Sequence, residues 1–467
     1  MTLSTDYEEN VALAEKILRY GESFDVIEKR LDASGTELTF FFIDGFVKDG
    51  ELQRVMQHLL GQKNIKDAKT CEKNIPYVEI SRSSDVDAIT SAVLSGQTAL
   101  FCESFKNEAI LLDLRTYPVR SIAEPETDRV MQGARDGFVE TLIMNTALLR
   151  RRIRDPRLTM RHFDIGGSSR TDVVVCYMAG VANDDYVESV CKKIKNTKPN
   201  TLTLGTQSLT ESLIKRRWFN PFPKVRRTER PDTAAAQVLE GNVLIFCDTS
   251  PEVMILPTSI FDFTEEADDY AFSPLVGTYL RLLRISILLL SIIVTPLWYL
   301  TIENTSALPE GLYFLIPDEP GALPIFLQIL LAELALDGLA LASMNTPNML
   351  SNSLSIVGAL ILGDYAVSIG WFCEDVIFYI ACVAIANFAQ QSHELSYAFK
   401  FTRIIILTLV YFLKLPGLIL GLILFCVFVA TNTTVTGKRH YLYPLIPFNK
   451  KALLRHLIRF KKDDFEN

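Results

Sequence analysis

The sequence predicts an α+β two-lobed cytoplasmic N-terminal region followed by a polytopic α-helical transmembrane domain. Three observations predict it. Near residue 275 a polar, mixed-charge half gives way to successive long apolar segments, and about 20 apolar residues suffice for a helix to cross a hydrocarbon core of about 30 Å. Before that break, short aromatic and β-branched runs alternate with segments of helical periodicity, the pattern of mixed lobes. Arg281 and Arg284 lie near the start of the first apolar span, while the loop after it carries Glu303, Glu310, Asp318 and Glu319 and no Lys or Arg. The positive-inside rule then places the preceding region in the cytoplasm.

The first lobe is expected over residues 1–115. The aromatic run ELTFFFIDGFV at 37–47 reads as a buried strand ending in a turn at Asp44-Gly45. Asp49 caps a helix in which Leu52, Val55, Met56, Leu59 and Leu60 recur at helical spacing. Two further strands, 98–104 and 109–114, flank a polar turn at Phe105-Lys106-Asn107. A linker is expected at 116–137, where Pro118 and Pro125 stand among charges.

The second lobe is expected over 138–270. Helical periodicity begins at Phe138 and continues through Val139, Leu142, Ile143, Thr146, Leu149 and Ile153, with a basic cluster of Arg150, Arg151, Arg152 and Arg154 at its end. Arginines there suit the negative end of the helix dipole. Two readings of that cluster stand: an anion site, such as one for phosphate, and salt bridges on a solvated helix end. A strand at 171–178, a helix from Asp184 to Lys195 and a strand pair NVLIFCD and EVMILP complete the lobe.

The polytopic domain is expected over 271–436. Its first span runs from about Leu275 to Leu300. The next, Leu323 to Met344, is apolar apart from Gln328, Glu333 and Asp337, the last two sharing one helical face. An isolated charge at a bilayer centre costs on the order of 2.5 to 3.5 kcal/mol, so these acids should face protein or water. They read either as a cation-attracting face or as part of a re-entrant or interfacial helix. Two shorter spans follow, Leu354 to Ile369 with Asp364 and Val376 to Ala389 with Asn387; their polar groups either line a pore or join helices. Lys400 and Arg403 read as another cytoplasmic boundary. In the tract Ile404 to Ala430, Lys414, Pro416 and Gly417 are a candidate gate or kink, either bending one tilted helix or turning a tight hairpin. The basic tail, 437–467, favours a cytoplasmic C-terminus; its stretch Leu453 to Phe460 lies on an anionic leaflet or is a solvated helix.

Whole-chain values conceal this division, because 49% apolar residues, 22% charged residues and a mean hydropathy of +0.20 would also fit a globular enzyme. Residues Met1 to Asn10 are acidic and show no basic or apolar leader pattern, so the first span is expected to act as its own insertion signal. The eight cysteines form no C-x-x-C pair, and the five histidines form no metal-binding spacing. Gly166-Gly167-Ser168-Ser169 lacks the Gly-Lys-Ser/Thr that completes a phosphate loop. The net charge of -8 is dispersed and does not suggest nucleic acid. No catalytic residue, metal or cofactor is expected, and the head reads as a binding or assembly module.

Longer motifs recur in order: ESFDVIEKR at 22–30, FFIDGFVKD at 41–49, ARDGFVETLIMNTALLRRRIRDPRL at 134–158 and NPFPKVRRTERPDTAAAQVLEGNVLIFCDTSP at 220–251. PIFLQILLAELALD at 324–337 and FKFTRIIILTLVYFLKLPGLILG at 399–421 follow them. Through these motifs the whole chain resembles the GerA family of spore germination proteins, most closely its SpoVAF branch. The resemblance implies a multi-pass protein of the bacterial spore's inner membrane, not an enzyme, that forms a homo-oligomer, a pentamer in receptor A subunits. It also implies release of monovalent cations and work with other spore membrane proteins. Glu333, Asp337, Asp364, Asn387 and Gln328 are then the candidate pore-lining or intramembrane polar groups. A non-conducting scaffold that assembles receptor or dipicolinate-channel components is the alternative.

Overall fold

A computed structural model of the protein describes residues 1–62, 64–117, 130, 133–197, 199, 201–214, 219–344, 365–390, 392–437 and 441–460. The chain divides into two compact units. The first holds Met1–Arg216, Val225–Thr258 and Thr434–Lys438, and the second Arg217–Lys224, Ser259–Thr433 and Arg439–Asn467.

The first unit is a duplication. Its first lobe runs α1 (Tyr7–Leu18), β1 (Val26–Ala33), β2 (Thr36–Ile43), α2 (Asp49–Leu60), α3 (Ala68–Asn74), β3 (Ile80–Ser83), α4 (Val86–Leu94), β4 (Thr98–Cys102) and β5 (Ala109–Leu112). Its second repeats that order with α5 (Leu142–Arg152), β6 (Leu158–Ile165), β7 (Thr171–Met178), α6 (Asp184–Asn196), α7 (Thr206–Leu213), β8 (Arg226–Thr228), α8 (Pro231–Leu239), β9 (Val243–Cys247) and β10 (Val253–Leu256). Each lobe has one antiparallel sheet, ordered β1-β2-β4-β5-β3 and β6-β7-β9-β10-β8, so the two share one topology. Helices cover both faces of each sheet. Ala99 and Phe101 point into one core with α1 and α4, and Leu100 and Cys102 into another with α2 and α3. That double coverage is why β4 and β9 are buried at every position and nearly all apolar rather than alternating.

The repeat reaches individual residues. Val93-Leu94-Ser95-Gly96 leads to Phe101-Cys102 as Val238-Leu239-Glu240-Gly241 leads to Phe246-Cys247, and Gly96 and Gly241 take left-handed φ values of +99° and +96°. Gly45 and Gly180, each just past the second strand, stand at +79° and +78°. Ahead of each first helix, an asparagine amide holds the incoming backbone. Asn10 accepts from Ser4 N–H and donates to Ser4 C=O, both at 2.8 Å, and Asn145 does the same to Val139.

The last contact corrects the expected helix start. Phe138 gives its N–H to the Glu229 carbonyl at 2.7 Å and Leu142 N–H is taken by the Asp248 carboxylate at 3.0 Å. Residues 138–141 are therefore an irregular entry segment with Phe138 buried, and the helix begins at Leu142. Strands β1 and β6 lie at sheet edges; β1, VIEKRLDA, carries exposed charges and so lacks an apolar signal.

The second unit contains α9 (Asp268–Ala271), α10 (Pro274–Glu303), α11 (Ile325–Met344), α12 (Glu374–Phe388), α13 (His393–Thr431) and α14 (Lys450–Leu457). Among the described residues, α10, α11 and α13 are long and apolar enough to cross a membrane. Helix α13 is broken at Lys414, whose φ is 53°, and its two arms fold back on each other. In one straight helix, residues 15 positions apart would be about 22 Å apart at 1.5 Å per residue, yet a Cβ on Gly421 would stand 3.1 Å from Ile406 Cα. Gly417 likewise abuts the backbone of Leu409 and Val410. The tract is thus a glycine-packed helical hairpin, which decides between the two readings of Lys414, Pro416 and Gly417. The Phe222 ring lies 5.9 Å from Phe399 on one arm and 5.9 Å from Phe425 on the other.

Candidate functional site

Four charged side chains meet inside the second unit. Arg403 reaches Glu333 Oε1 with Nε at 2.9 Å and Nη2 at 2.7 Å. Lys400 Nζ lies 3.1 Å from Glu333 Oε2 and 2.6 Å from Asp337 Oδ1, and it donates to the Glu333 carbonyl at 3.1 Å. Arg403 Nη1 donates to Ser291 C=O at 3.0 Å, tying the cluster to α10. Helical geometry sets this up: Glu333 and Asp337 are one turn apart on α11, and Lys400 and Arg403 one turn apart on α13.

The arrangement balances two acids against two bases. Glu333, Lys400 and Arg403 are buried, whereas the Asp337 side chain keeps 35% of its exposure. Lys400 and Arg403, which the sequence marks as a membrane boundary, have protein partners. Both are enclosed within the bundle, because the acids of α11 offer them partners that lipid cannot.

The other candidate polar residues are placed differently. Gln328 is fully buried; its Nε2 donates to Pro320 and Leu323 carbonyls at 2.6 and 2.7 Å, and its Oε1 accepts Cys373 N–H at 2.9 Å. It joins the start of α11 to the start of α12. Asn387 lies near the end of α12, where its carbonyl takes the Ser396 hydroxyl at 3.4 Å. Asp364, and most of the expected span around it, lie outside the described residues. Lys414 stands at the hairpin turn, 3.8 Å from the Glu303 carboxylate and largely exposed. Among the described residues no group of three or more His, Cys, Asp or Glu could hold a metal.

A second charged cluster gathers at the start of α10. The buried Asp269 carboxylate receives Arg281 Nε at 3.1 Å and also pairs with Arg284. Arg281 Nη1 donates to the Arg455 carbonyl at 2.7 Å, and the Arg459 N–H donates to Thr278 at 3.1 Å. His456 Nδ1 sits 2.9 Å from Glu265. Burial lowers the His456 pKa, but the Glu265 contact outweighs it and leaves the value raised above the usual 6.5. Arg455 and Arg459 thus tie this segment to α10.

The arginines at the end of α5 divide by position. Arg150, 1% exposed, clamps Asp25 with Nε at 2.8 Å and Nη2 at 3.1 Å, and donates to Leu158 C=O at 2.9 Å. Arg151 lies over the Tyr117 ring at 4.5 Å, and Arg152 pairs with Asp136 at 2.6 Å. Arg154 is exposed. Three of the four thus have protein partners, and the buried one joins the two lobes.

Residues 15–467 match the family described as Bacillus/Clostridium GerA spore germination protein. Stage V sporulation protein AF of Bacillus subtilis (strain 168) is 37% identical, over 95% of this chain and 90% of its own. Spore germination protein KA of the same organism is 26% identical over 98% of this chain and 85% of its own. A crystal structure of the N-terminal domain of the A subunit of the Bacillus megaterium spore germinant receptor GerK3 covers 55% of this chain and 96% of that one, at 25% identity and a TM-score of 0.43.

Proposed function

We propose, for a chain that belongs to the GerA family of spore germination proteins, that it works as an oligomeric, channel-like protein passing monovalent cations. The carrying observation is the Asp337 carboxylate, 35% open on a largely apolar helix while Glu333 and Lys400 beside it are buried. Lys400 covers one side of this carboxylate, and its open side is best placed against water or another protein. Copies of α11 around an axis would bring these carboxylates into a ring that attracts cations and repels anions. In this reading Glu333 is an anchor, since Arg403 and Lys400 occupy its oxygens. The protein would sit in the spore inner membrane with its head and tail in the cytoplasm, among other spore membrane proteins.

Potassium and sodium flux through full-length protein in liposomes tests this, with Asp337→Asn and Glu333→Gln compared at equal assembly. Asp337→Asn should reduce cation over anion selectivity. Unchanged flux and selectivity in an assembled Asp337→Asn protein would remove the residue from the path. One observation favours a scaffold instead: the quartet is charge-balanced within one chain. Absence of flux from a correctly assembled wild-type protein would support that reading.

A further inference from the structure

In the first unit, α5 both opens the second lobe and covers a face of the first. A Cβ added to Gly45 would stand 3.0 Å from Ile143 Cγ2 and 3.2 Å from Ala147 Cβ. Ala147 lies in one buried cluster with Phe46 and Leu94, which are 0% and 1% exposed. Among the described residues nothing covers the equivalent face of the second lobe. Gly180 has nothing within 4 Å of a built Cβ, and Val181 and Leu239, the counterparts of Phe46 and Leu94, are 44% and 50% exposed. The equivalence is supported by local geometry, since a Cβ on Gly96 would stand 3.1 Å from Phe46 Cδ2 and one on Gly241 3.6 Å from Val181 Cγ1.

The counterpart of α5 is α1. Asn10 and Asn145 make the same amide clasp at the same distance from the paired glycines, which sets Ala12 opposite Ala147. Ala12 is exposed, as are Glu8 and Lys16 on either side of it along the helix. The chain therefore has one lobe face already occupied by a helix of its own, a matching face left open, and a matching helix face left open.

We propose that the uncovered Gly180, Val181 and Leu239 face docks α1 of a second copy of this chain, repeating between molecules the contact that α5 makes within one. Such a contact is heterologous, joining two different faces, and it closes into a ring when its rotation allows. A small residue at Ala12 permits the close approach that Ala147 makes at Gly45. The inference rests on the oligomeric reading given above and assigns its cytoplasmic interface.

The test is disulfide trapping in the full-length chain, with exposed Cys382 and Cys426 replaced by Ser. The Ala147 contact at Gly45 lies near disulfide range, so Ala12→Cys with Gly180→Cys should give a ladder of covalent multimers under mild oxidant. Each single variant should give none. As a second arm, Val181→Asp with Leu239→Asp, both at exposed sites, should raise the concentration for half-assembly about ten-fold or more. Native mass in detergent separates the failures. An oligomer that neither forms the ladder nor responds to the aspartates overturns this interface but leaves the oligomeric reading intact, whereas a wild-type monomer overturns both.

Discussion

Arg150→Met should destabilise the first unit far more than a surface arginine would. The guanidinium is 1% exposed and the Asp25 side chain 3%, so removal leaves a buried carboxylate with Ser23 as its remaining donor, at 2.6 Å. Leu158 and Asp155 carbonyls also lose their arginine contacts. Breaking a buried pair by deleting one partner costs about 3–5 kcal/mol, against about 0–1 kcal/mol for an exposed pair. The lesion falls where the lobes meet, since Ser23 Oγ accepts Met160 N–H at 3.1 Å and Phe24 N–H donates to Met160 C=O at 2.9 Å. Pulse proteolysis of full-length protein in detergent across a urea series measures the loss, with exposed Arg54→Met as the reference. Asp25→Leu combined with Arg150→Met should recover much of it, because an apolar replacement of the whole pair leaves no stranded charge. A single-variant cost below about 1 kcal/mol, or a double variant no better than the worse single, would refute the buried-pair argument.

Gly417→Ala should destabilise the hairpin because its Cβ overlaps the Leu409 backbone, while Gly311→Ala, with nothing within 4 Å, should not; unfolding in detergent followed by helical circular dichroism compares them. The His456–Glu265 contact should weaken as pH rises. A folded pKa raised above 6.5 means its contribution is complete below about 6.5 and is lost as pH passes the raised value. Proteolysis of the C-terminal tail should therefore quicken with rising pH in wild type and lose that dependence in His456→Gln.

The sequence by itself determined the division near residue 275, the buried and largely apolar strands, and the presence of acids on an apolar helix, because each is written in a local run of residues. The internal duplication was not read from the sequence, because the lobes share little beyond Val-Leu-x-Gly before Phe-Cys and only the common strand order shows it. The start of α5 was not either, since an apolar run suits a helix or a buried extended segment equally until Asp248 and Asn145, distant or backward in sequence, capture its N–H groups. Nor was the fate of Lys400, Arg403 and Arg150. A charge at a helix end reads as a surface or boundary residue, and only the fold brings Glu333 to Arg403, or Asp25 to Arg150, across long stretches of chain. Likewise Lys414, Pro416 and Gly417 mark a break in sequence, but whether the arms bend or fold back depends on glycines meeting a backbone that precedes the turn. Partner identity is a long-range property, set by tertiary contacts, and burial decides which charges those contacts must satisfy.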